Sequence, residues 1–600
     1  MSKIAYYDLL KIAQCDTARA RSASSAELLH VHAADNPWPA NDSAATHVVP
    51  SMRDAATRTR TMHQIWSLLG QLPELVYHGV DLREVTRYSL LFSIERAFHQ
   101  AWVLSHLHSD FGGDVDWYTD SADTAMALRA FEGQDGLSLR IHAPGSASAA
   151  LVLRRPLDAL RVRGWMLQRR LEEFRWSRHS TASRDVDVPG RHPIVFAEFF
   201  PNSTRVSLSI ARYLREHSHL NPVYVSKRLE ALRVASAGGM PVRLLRSFRG
   251  RRSRTFSRRA LRSSWHTLFQ RLANAPIRLT PNGPDCRAFL LPVLEREALR
   301  EFAGAVEIIE GAEAMLEVLQ PAVLATTTWL STFGRAMAAT ASQRGVPTAW
   351  IQHGLCFDEP EFVNVPFDSC LVWGQIDRRR LTQAGIPGSI HTIGAPHLDG
   401  FIQRIREATQ HDDRPHDEGV INVLYLASRT GGVWVTTAAS ERMFTAAANV
   451  VLKNPRAVLT IKLHPGDHTG LAQRVAGKLD RVRVVQDGSS QDQILQCDVA
   501  IVTSSTTGLE VCTADKPLIS LTPPGMRDGV DYAGYGAALC ATNEQELEAA
   551  LTQLLTRDGA EALRAGRRRL IDDMLDGAHG AAVKKGADVL AQMARGSESN

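Results

Sequence analysis

The stretch CDVAIVTSSTTGLEVCTADKPLI, Cys497 to Ile519, runs from small and β-branched residues through four hydroxyl residues and a glycine into a helical pattern, then into a second apolar run. A strand that enters a helix through a polar turn and is followed by another strand is the repeating unit of a parallel sheet covered by helices. The free N–H groups of the first helical turn and the positive end of its dipole make such a turn suited to an anion. Ser504, Ser505, Thr506 and Thr507 ahead of Gly508 can add hydroxyl donors, and Ser505 or Thr506 can equally serve as a plain helix cap.

The same rhythm extends outward from this stretch. INVLYLA (421–427), VLTIKL (458–463), RVRVV (481–485), DVAIVT (498–503) and PLISL (517–521) form one series of strands. An earlier series is IVFAEFF (194–200), NPVYVS (221–226), PVRLL (241–245), AVLATTT (322–328), PTAWIQ (347–352) and SCLVWG (369–374). The fold expected is α/β, with two Rossmann-like doubly wound parallel-sheet domains facing each other. The domain organisation read from the sequence is an N-terminal mixed α/β extension over 1–185, a first domain over 186–375 and a second over 376–600.

The extension has helical patterns at YSLLFSIERAFHQAWVLSHLH, ADTAMALRAF and LDALRVRGWMLQRRLEEFRW and strands at VDWYTD and LSLRIH. It ends in the polar linker SRHSTASRDVDVPGRHP. It can complete the first domain, carry a second activity or dock a partner. The acidic pair Asp114 and Asp116 is too short a motif to define a metal site.

Ligands of open parallel sheets bind beyond the C-terminal ends of the strands. In the second series those positions are SRTGG (428–432), HPGDH (464–468), DGSS (487–490) and the hydroxyl turn. Ser428, Arg429, Lys462, His464 and Pro465 are therefore candidates for binding a phosphate-bearing ligand, together with Ser504 to Gly508. Glu510 can accept from ribose hydroxyls or simply complement the helix dipole. In the first series, WIQHGLCFDEP (350–360) turns polar directly after a core strand, which places Gln352, His353 and Gly354 at the same kind of rim, with Asn202 as a further cleft residue.

Composition bounds the rest. With 600 residues, 44% of them apolar and 22% charged, the chain has the profile of a soluble protein of about three domains. The start has no signal-peptide profile and no apolar run is long enough to span a bilayer, so a cytoplasmic location is expected. The seven scattered cysteines suggest neither a disulfide framework nor a zinc site. RLLRSFRGRRSRTFSRRALR, Arg243 to Arg262, holds nine arginines and no acid. It is either a solvated basic face or a patch for an anionic membrane surface or a phosphorylated acceptor. Nucleic acid is not expected, because no recognition motif accompanies the charge.

WIQHG, DSCLVWGQIDRRRLTQAGIPGSIHTIGAPHLD, KLHPGDH, the hydroxyl turn and MLDGAHGAAVKKGADVLAQM together resemble GT-B-fold transferases of bacterial surface polysaccharides. The resemblance is to the group holding Kdo transferases, sialyl- and polysialyltransferases and CDP-glycerol glycerophosphotransferases, and it covers about 320 to 595. It implies a metal-independent, inverting glycosyltransferase of capsule or O-antigen type with no cofactor. The donor would be a nucleotide sugar, CMP-linked, with a Kdo-like or sialic-acid-like sugar, and the acceptor a glycan or lipid-linked glycan at the inner membrane face. A CDP-glycerol-type polyol-phosphate transferase and a non-catalytic nucleotide- or glycan-binding protein are the alternatives. By the same resemblance His464-Pro465 and Ser504-Ser505 contact the nucleotide, and His353-Gly354 borders the cleft. The first sheet has no acidic-acidic-glycine motif, so Asp358, Glu359 and Glu198 stand beside His353 as candidate bases.

Overall fold

The computed structural model describes residues 192–248, 284–355, 367–410, 419–429, 437–522 except Pro465, His468, Lys478 and Ser504, and 529–598. Ahead of residue 192 it describes 3–8, 28–33, 46–49, 55–70, 75–111, 114–119 and 138–142, and between the main stretches 261, 269–270, 273–274 and 276–279. The helical patterns at 122–131 and 157–176, most of the linker, and all of the arginine block except 243–248 and 261 lie outside the described residues.

The extension contains a sheet of its own, strands β1 (Lys3–Asp8), β2 (Leu28–Ala33), β3 (Thr46–Val49), β6 (Asp114–Thr119) and β7 (Ser138–His142). It is parallel throughout, in the order β3-β2-β1-β6-β7. A two-stranded ribbon, β4 (Val76–Tyr77) with β5 (Val80–Asp81), stands apart from it. Asp114 opens β6, at the end of the strand remote from where ligands bind in a parallel sheet. Helix Ala55–Gly70 packs on Leu82–Phe111, which packs on the long helix Arg287–Leu319, in one apolar cluster that includes Trp66, Tyr88, Phe98 and Trp102. Buried Arg335 joins the two parts, donating from Nε to the carbonyl of Glu84 at 3.0 Å with its guanidinium 5.2 Å from the Tyr88 ring. This helical half of the extension thus completes the outer layer of the first domain.

The first domain's sheet is β8 (Ile194–Ala197), β9 (Pro222–Ser226), β10 (Val242–Leu244), β11 (Val323–Thr326), β12 (Thr348–Ile351), β13 (Ser369–Val372) and β14 (Ser389–Thr392). Its order is β10-β9-β8-β11-β12-β13-β14, all parallel. The central strands are buried along their whole length, as a sheet covered on both faces requires. The second sheet is β15 (Ile421–Leu426), β16 (Ala457–Lys462), β17 (Val482–Val485), β18 (Val499–Val502), β19 (Leu518–Leu521) and β20 (Leu539–Ala541), in the order β17-β16-β15-β18-β19-β20. Both domains are doubly wound in the Rossmann sense, the GT-B arrangement expected from the sequence.

The domain limits differ from the sequence reading. β14 extends the first sheet past residue 375, and the last helix, Ala582–Glu598, returns to the first domain, where Ala587, Leu590 and Ala594 join its core. The pattern-based limit falls early because β14 is a half-buried edge strand with weak apolar alternation. Two crossings therefore join the domains. They are tied together by Asp399, whose carboxylate accepts from the N–H groups of Ala582 at 3.2 Å and Val583 at 2.8 Å and so caps the returning helix.

A tight contact holds the domains beside this joint. Trp373 lies in one apolar cluster with Leu424, Leu426, Leu570 and Met574 of the second domain, and Arg379 donates to Asp573 at 2.6 Å. A Cβ added at Gly374 would sit 2.3 Å from the Asp573 carbonyl oxygen. Gly374→Ala is therefore expected to destabilise by about 1–3 kcal/mol through this overlap. A lowered thermal midpoint checks it, and an unchanged midpoint would mean the two backbones are not held at this separation.

Candidate active site

The second domain's rim is set by register. β15 pairs on one side with β16, Leu426 opposite Lys462, and on the other with β18, Leu426 opposite Val502. The residues after these strands must then emerge side by side. Ser428 donates its hydroxyl to the Thr503 carbonyl, and a Cβ built on Gly466 would lie 3.3 Å from His464 Nδ1 and 3.6 Å from Arg429 Nε. Ser428, Arg429, His464 and the hydroxyl turn therefore share one lip. Pro465 and Ser504 lie outside the described residues.

His464 is exposed, and its Nδ1 accepts the Gly466 N–H at 3.0 Å. An accepting Nδ1 leaves the proton on Nε2, so this imidazole offers the rim an N–H donor. The helix Thr507–Thr513 starts beside it. Ser505 acts as a local cap: its Oγ accepts from the Thr507 N–H at 3.2 Å, and its carbonyl accepts from Tyr532 Oη at 2.7 Å. Gly508 is required where that tyrosine passes, since a Cβ there would be 2.3 Å from Tyr532 Oη. Thr506 is exposed and makes no side-chain capping bond, which leaves its hydroxyl available at the lip. Lys462 is turned to another task, donating to the carbonyls of Gln486 and, at 2.9 Å, Asp487, so its ammonium organises the turn after β17.

Glu510 is half-buried on the next turn of the helix. Burial raises its carboxyl to about 7, against a Gln491 hydrogen bond and the charge of Arg404, which lower it. Its Oε2 has no partner among the described residues. An unpartnered, buried carboxyl oxygen beside the hydroxyl turn is a polar group still lacking a hydrogen bond among the described residues.

The first domain's rim lies where its strand order reverses, between β8 and β11. Thr327, directly after β11, ties two candidate residues together. Its hydroxyl donates to Glu198 Oε2 at 2.5 Å, and its carbonyl accepts from His353 Nδ1 at 2.8 Å. A carbonyl only accepts, so Nδ1 carries the proton. Burial lowers the pKa of His353, which keeps the ring neutral and leaves Nε2 as a lone-pair acceptor. Leu355, two residues on, packs on the cluster shared with the second domain, so this loop faces that domain. Asn202 is exposed at the start of helix Pro201–His217, beside the same reversal.

Gln352 does not face the cleft. It is fully buried, its Oε1 accepts the Trp373 N–H at 2.6 Å, and its Nε2 donates to Asp377 at 2.8 Å and to the Gly354 carbonyl at 3.0 Å. Its amide joins the ends of β12 and β13, a role that a polar residue after a strand does not announce in sequence. Asp358 and Glu359 lie outside the described residues. His397, which the sequence reading passed over, stands near His353, and a positive charge on either ring disfavours one on the other. The only sequence signal for it was its place in GAPHLD, after β14, a strand the sequence pattern does not reveal.

Glu198 is 1% exposed, and burial raises its carboxyl to about 7 against hydrogen bonds from Thr327, Ser207 and Ser203. Its Oε1 has no partner among the described residues.

No protein-family model matches the chain, and no curated protein matches it. Solved structures similar to it include S. aureus MnaA with UDP, 14% identical with a TM-score of 0.45 over 67% of this chain and 96% of that one. Another is the UDP-GlcNAc 2-epimerase from Neisseria meningitidis bound to UDP-GlcNAc, 12% identical, TM-score 0.44, over 67% and 100%. CalG4, the calicheamicin glycosyltransferase, is 14% identical, TM-score 0.41, over 67% and 98%. The two-domain architecture stands on the strand orders above. Among the described residues no helix is long and apolar enough to cross a membrane, and no group of three or more His, Cys, Asp or Glu is placed to hold a metal ion.

The Glu198 carboxyl generates a stability test. Between about pH 4.5 and 7 the unfolded chain has lost this proton while the folded chain keeps it, so stability falls as pH rises through that window. Glu198→Gln removes the titration. The variant is expected to gain up to ~3 kcal/mol relative to wild type on going from pH 4.5 to 8. Glu510 acts in the same direction but is present in both proteins, so it cancels. Parallel pH dependences of urea unfolding would show that Glu198 ionises freely in the folded state.

Proposed function

We propose that the chain is a GT-B glycosyltransferase that moves a sugar from a nucleotide-activated donor to the hydroxyl of a glycan or lipid-linked acceptor. The observation that carries this reading is the opposite tautomers of two histidines on facing domains. His464 offers Nε2–H from the second domain, and His353 offers an Nε2 lone pair from the first.

Group transfer needs that pair of roles. His464 Nε2–H, the Arg429 guanidinium and the Thr506 hydroxyl and N–H bind the departing nucleoside phosphate and stabilise the charge that develops on it. His353 Nε2 takes the proton of the acceptor hydroxyl as that oxygen attacks the anomeric carbon. Glu510 accepts from the ribose hydroxyls, and Asn202 lines the acceptor side, with Glu198 buried beneath it and bonded to Thr327. Attack opposite the leaving phosphate inverts the anomeric centre. Closure about the two crossings at Asp399 excludes water that would hydrolyse the donor. The donor proposed is CMP-linked, of Kdo or sialic-acid type, for a surface polysaccharide of capsule or O-antigen class. The sequence resemblance supports that choice of nucleotide and sugar.

Thermal unfolding with CMP, CDP, UMP, UDP and GDP tests the donor site. A bound nucleotide at about 100 times its Kd should stabilise by ~2.7 kcal/mol. CMP is expected to give the largest shift, and a preference for UDP would replace the cytidine assignment with a UDP-sugar donor. His464→Ala should weaken binding by about ten- to a hundredfold, the loss of a hydrogen bond to a charged group. Unchanged binding in that variant would remove His464 from the site. His353→Gln should leave the nucleotide shift intact and lower transfer about 10²–10⁴-fold, the usual contribution of a general base. Phosphorus retained in the transferred group would point instead to polyol-phosphate transfer.

A further inference from the structure

His397 follows β14 in the short 3₁₀ turn Pro396–Leu398, on the same rim of the first sheet as His353. His397 is exposed to solvent at this rim, with its ring packed on one side against Trp373. Its ring lies 5.1 Å from the Trp373 ring at 47°. That platform is rigid, because Trp373 is 2% exposed and is held by Gln352 through both its backbone N–H, at 2.6 Å, and its indole Nε1–H, at 3.0 Å. Neither ring nitrogen of His397 has a hydrogen-bond partner among the described residues. The nearest carboxylate along the chain, Asp399, is committed to the N–H groups of Ala582 and Val583.

Two imidazoles with open nitrogens thus stand on one wall, His353 with Nε2 and His397 with both. Burial lowers His353 and takes His397 down to about 4, with the charge of His353 adding to the effect on His397, so both rings are neutral near pH 7. A neutral imidazole presents one donor and one acceptor, and a hydroxyl is likewise both. An anion offers only acceptors: it could take an N–H from His397 but would meet the His353 Nε2 lone pair, which a hydroxyl proton satisfies.

We propose that His353 and His397 together form the acceptor wall, binding a neutral ligand with adjacent hydroxyls, His353 taking the reacting hydroxyl and His397 positioning the one beside it. This rests on the reading of His353 as the acceptor-side base and names the chemistry of the acceptor group, a vicinal diol such as a sugar ring carries.

The test uses the full chain labelled with nitrogen-15 histidine, its two ring signals assigned from His353→Gln and His397→Gln. Methyl α-D-glucopyranoside and inorganic phosphate are titrated separately. The glycoside is expected to move both rings with one half-saturation point. His397→Phe keeps a ring against Trp373 but removes both nitrogens, and should raise the half-saturation seen at His353 about tenfold, the loss of one hydrogen bond. His397→Gln restores a donor and an acceptor and should stay within about threefold of wild type. An unchanged half-saturation in His397→Phe, no response of either ring to the glycoside, or phosphate saturating the pair at a lower concentration than the glycoside would each overturn the proposal. Nucleotide-induced thermal stabilisation on the same samples reports the other rim. Its survival alongside a lost glycoside response in wild type would sink the diol wall while leaving the donor site standing.

Discussion

A parallel strand can leave its sheet only at one edge, and this constraint assembles the site. In the second domain β15 is hydrogen-bonded to β16 and β18 at once, so chain segments about 40 and 75 residues from Ser428 are delivered to the same place. His464, Arg429 and the hydroxyl turn meet because the ladder leaves them nowhere else to go. The first domain repeats the device: the pairing of β11 with β8 and β12 brings Thr327 between Glu198 and His353, and its hydroxyl and carbonyl orient both.

Backbone groups then settle what each histidine can do. One ring accepts from an amide and the other donates to a carbonyl, so identical side chains present opposite faces to the cleft. No charged partner is needed for this. Around Thr327 the first-domain rim holds groups kept neutral by burial, Glu198 and His353, whereas the second has an exposed guanidinium and an exposed imidazole N–H. That division suits a reaction in which an uncharged hydroxyl meets a charged leaving group.

Much of this was legible in the sequence. β8 to β13 and β15 to β19 are short and rich in aliphatic residues, most of them buried, so each was visible as an apolar run, and the polar residues after them marked the rim. β14 and β20 were not, because SIHT sets one aliphatic residue among three polar ones and LCA is only three residues long. β1, β2 and β3 also escaped, so the extension's parallel sheet came only with the structure. Gln352 and Lys462 were misassigned for a shared reason: a polar residue at a strand end satisfies neighbouring backbone groups as readily as it meets a ligand, and sequence does not separate the two. His397 was missed because its significance depends on Trp373 and His353, which reach it only through folding.

The account turns on a nucleoside phosphate resting at the second domain's lip opposite His353. A structure of the chain with CMP bound tests this most directly. Phosphate oxygens are expected within hydrogen-bond reach of His464 Nε2 and of the Thr506 hydroxyl and N–H, with the ribose toward Glu510. A nucleotide seated elsewhere, with His464 facing empty solvent, would contradict it.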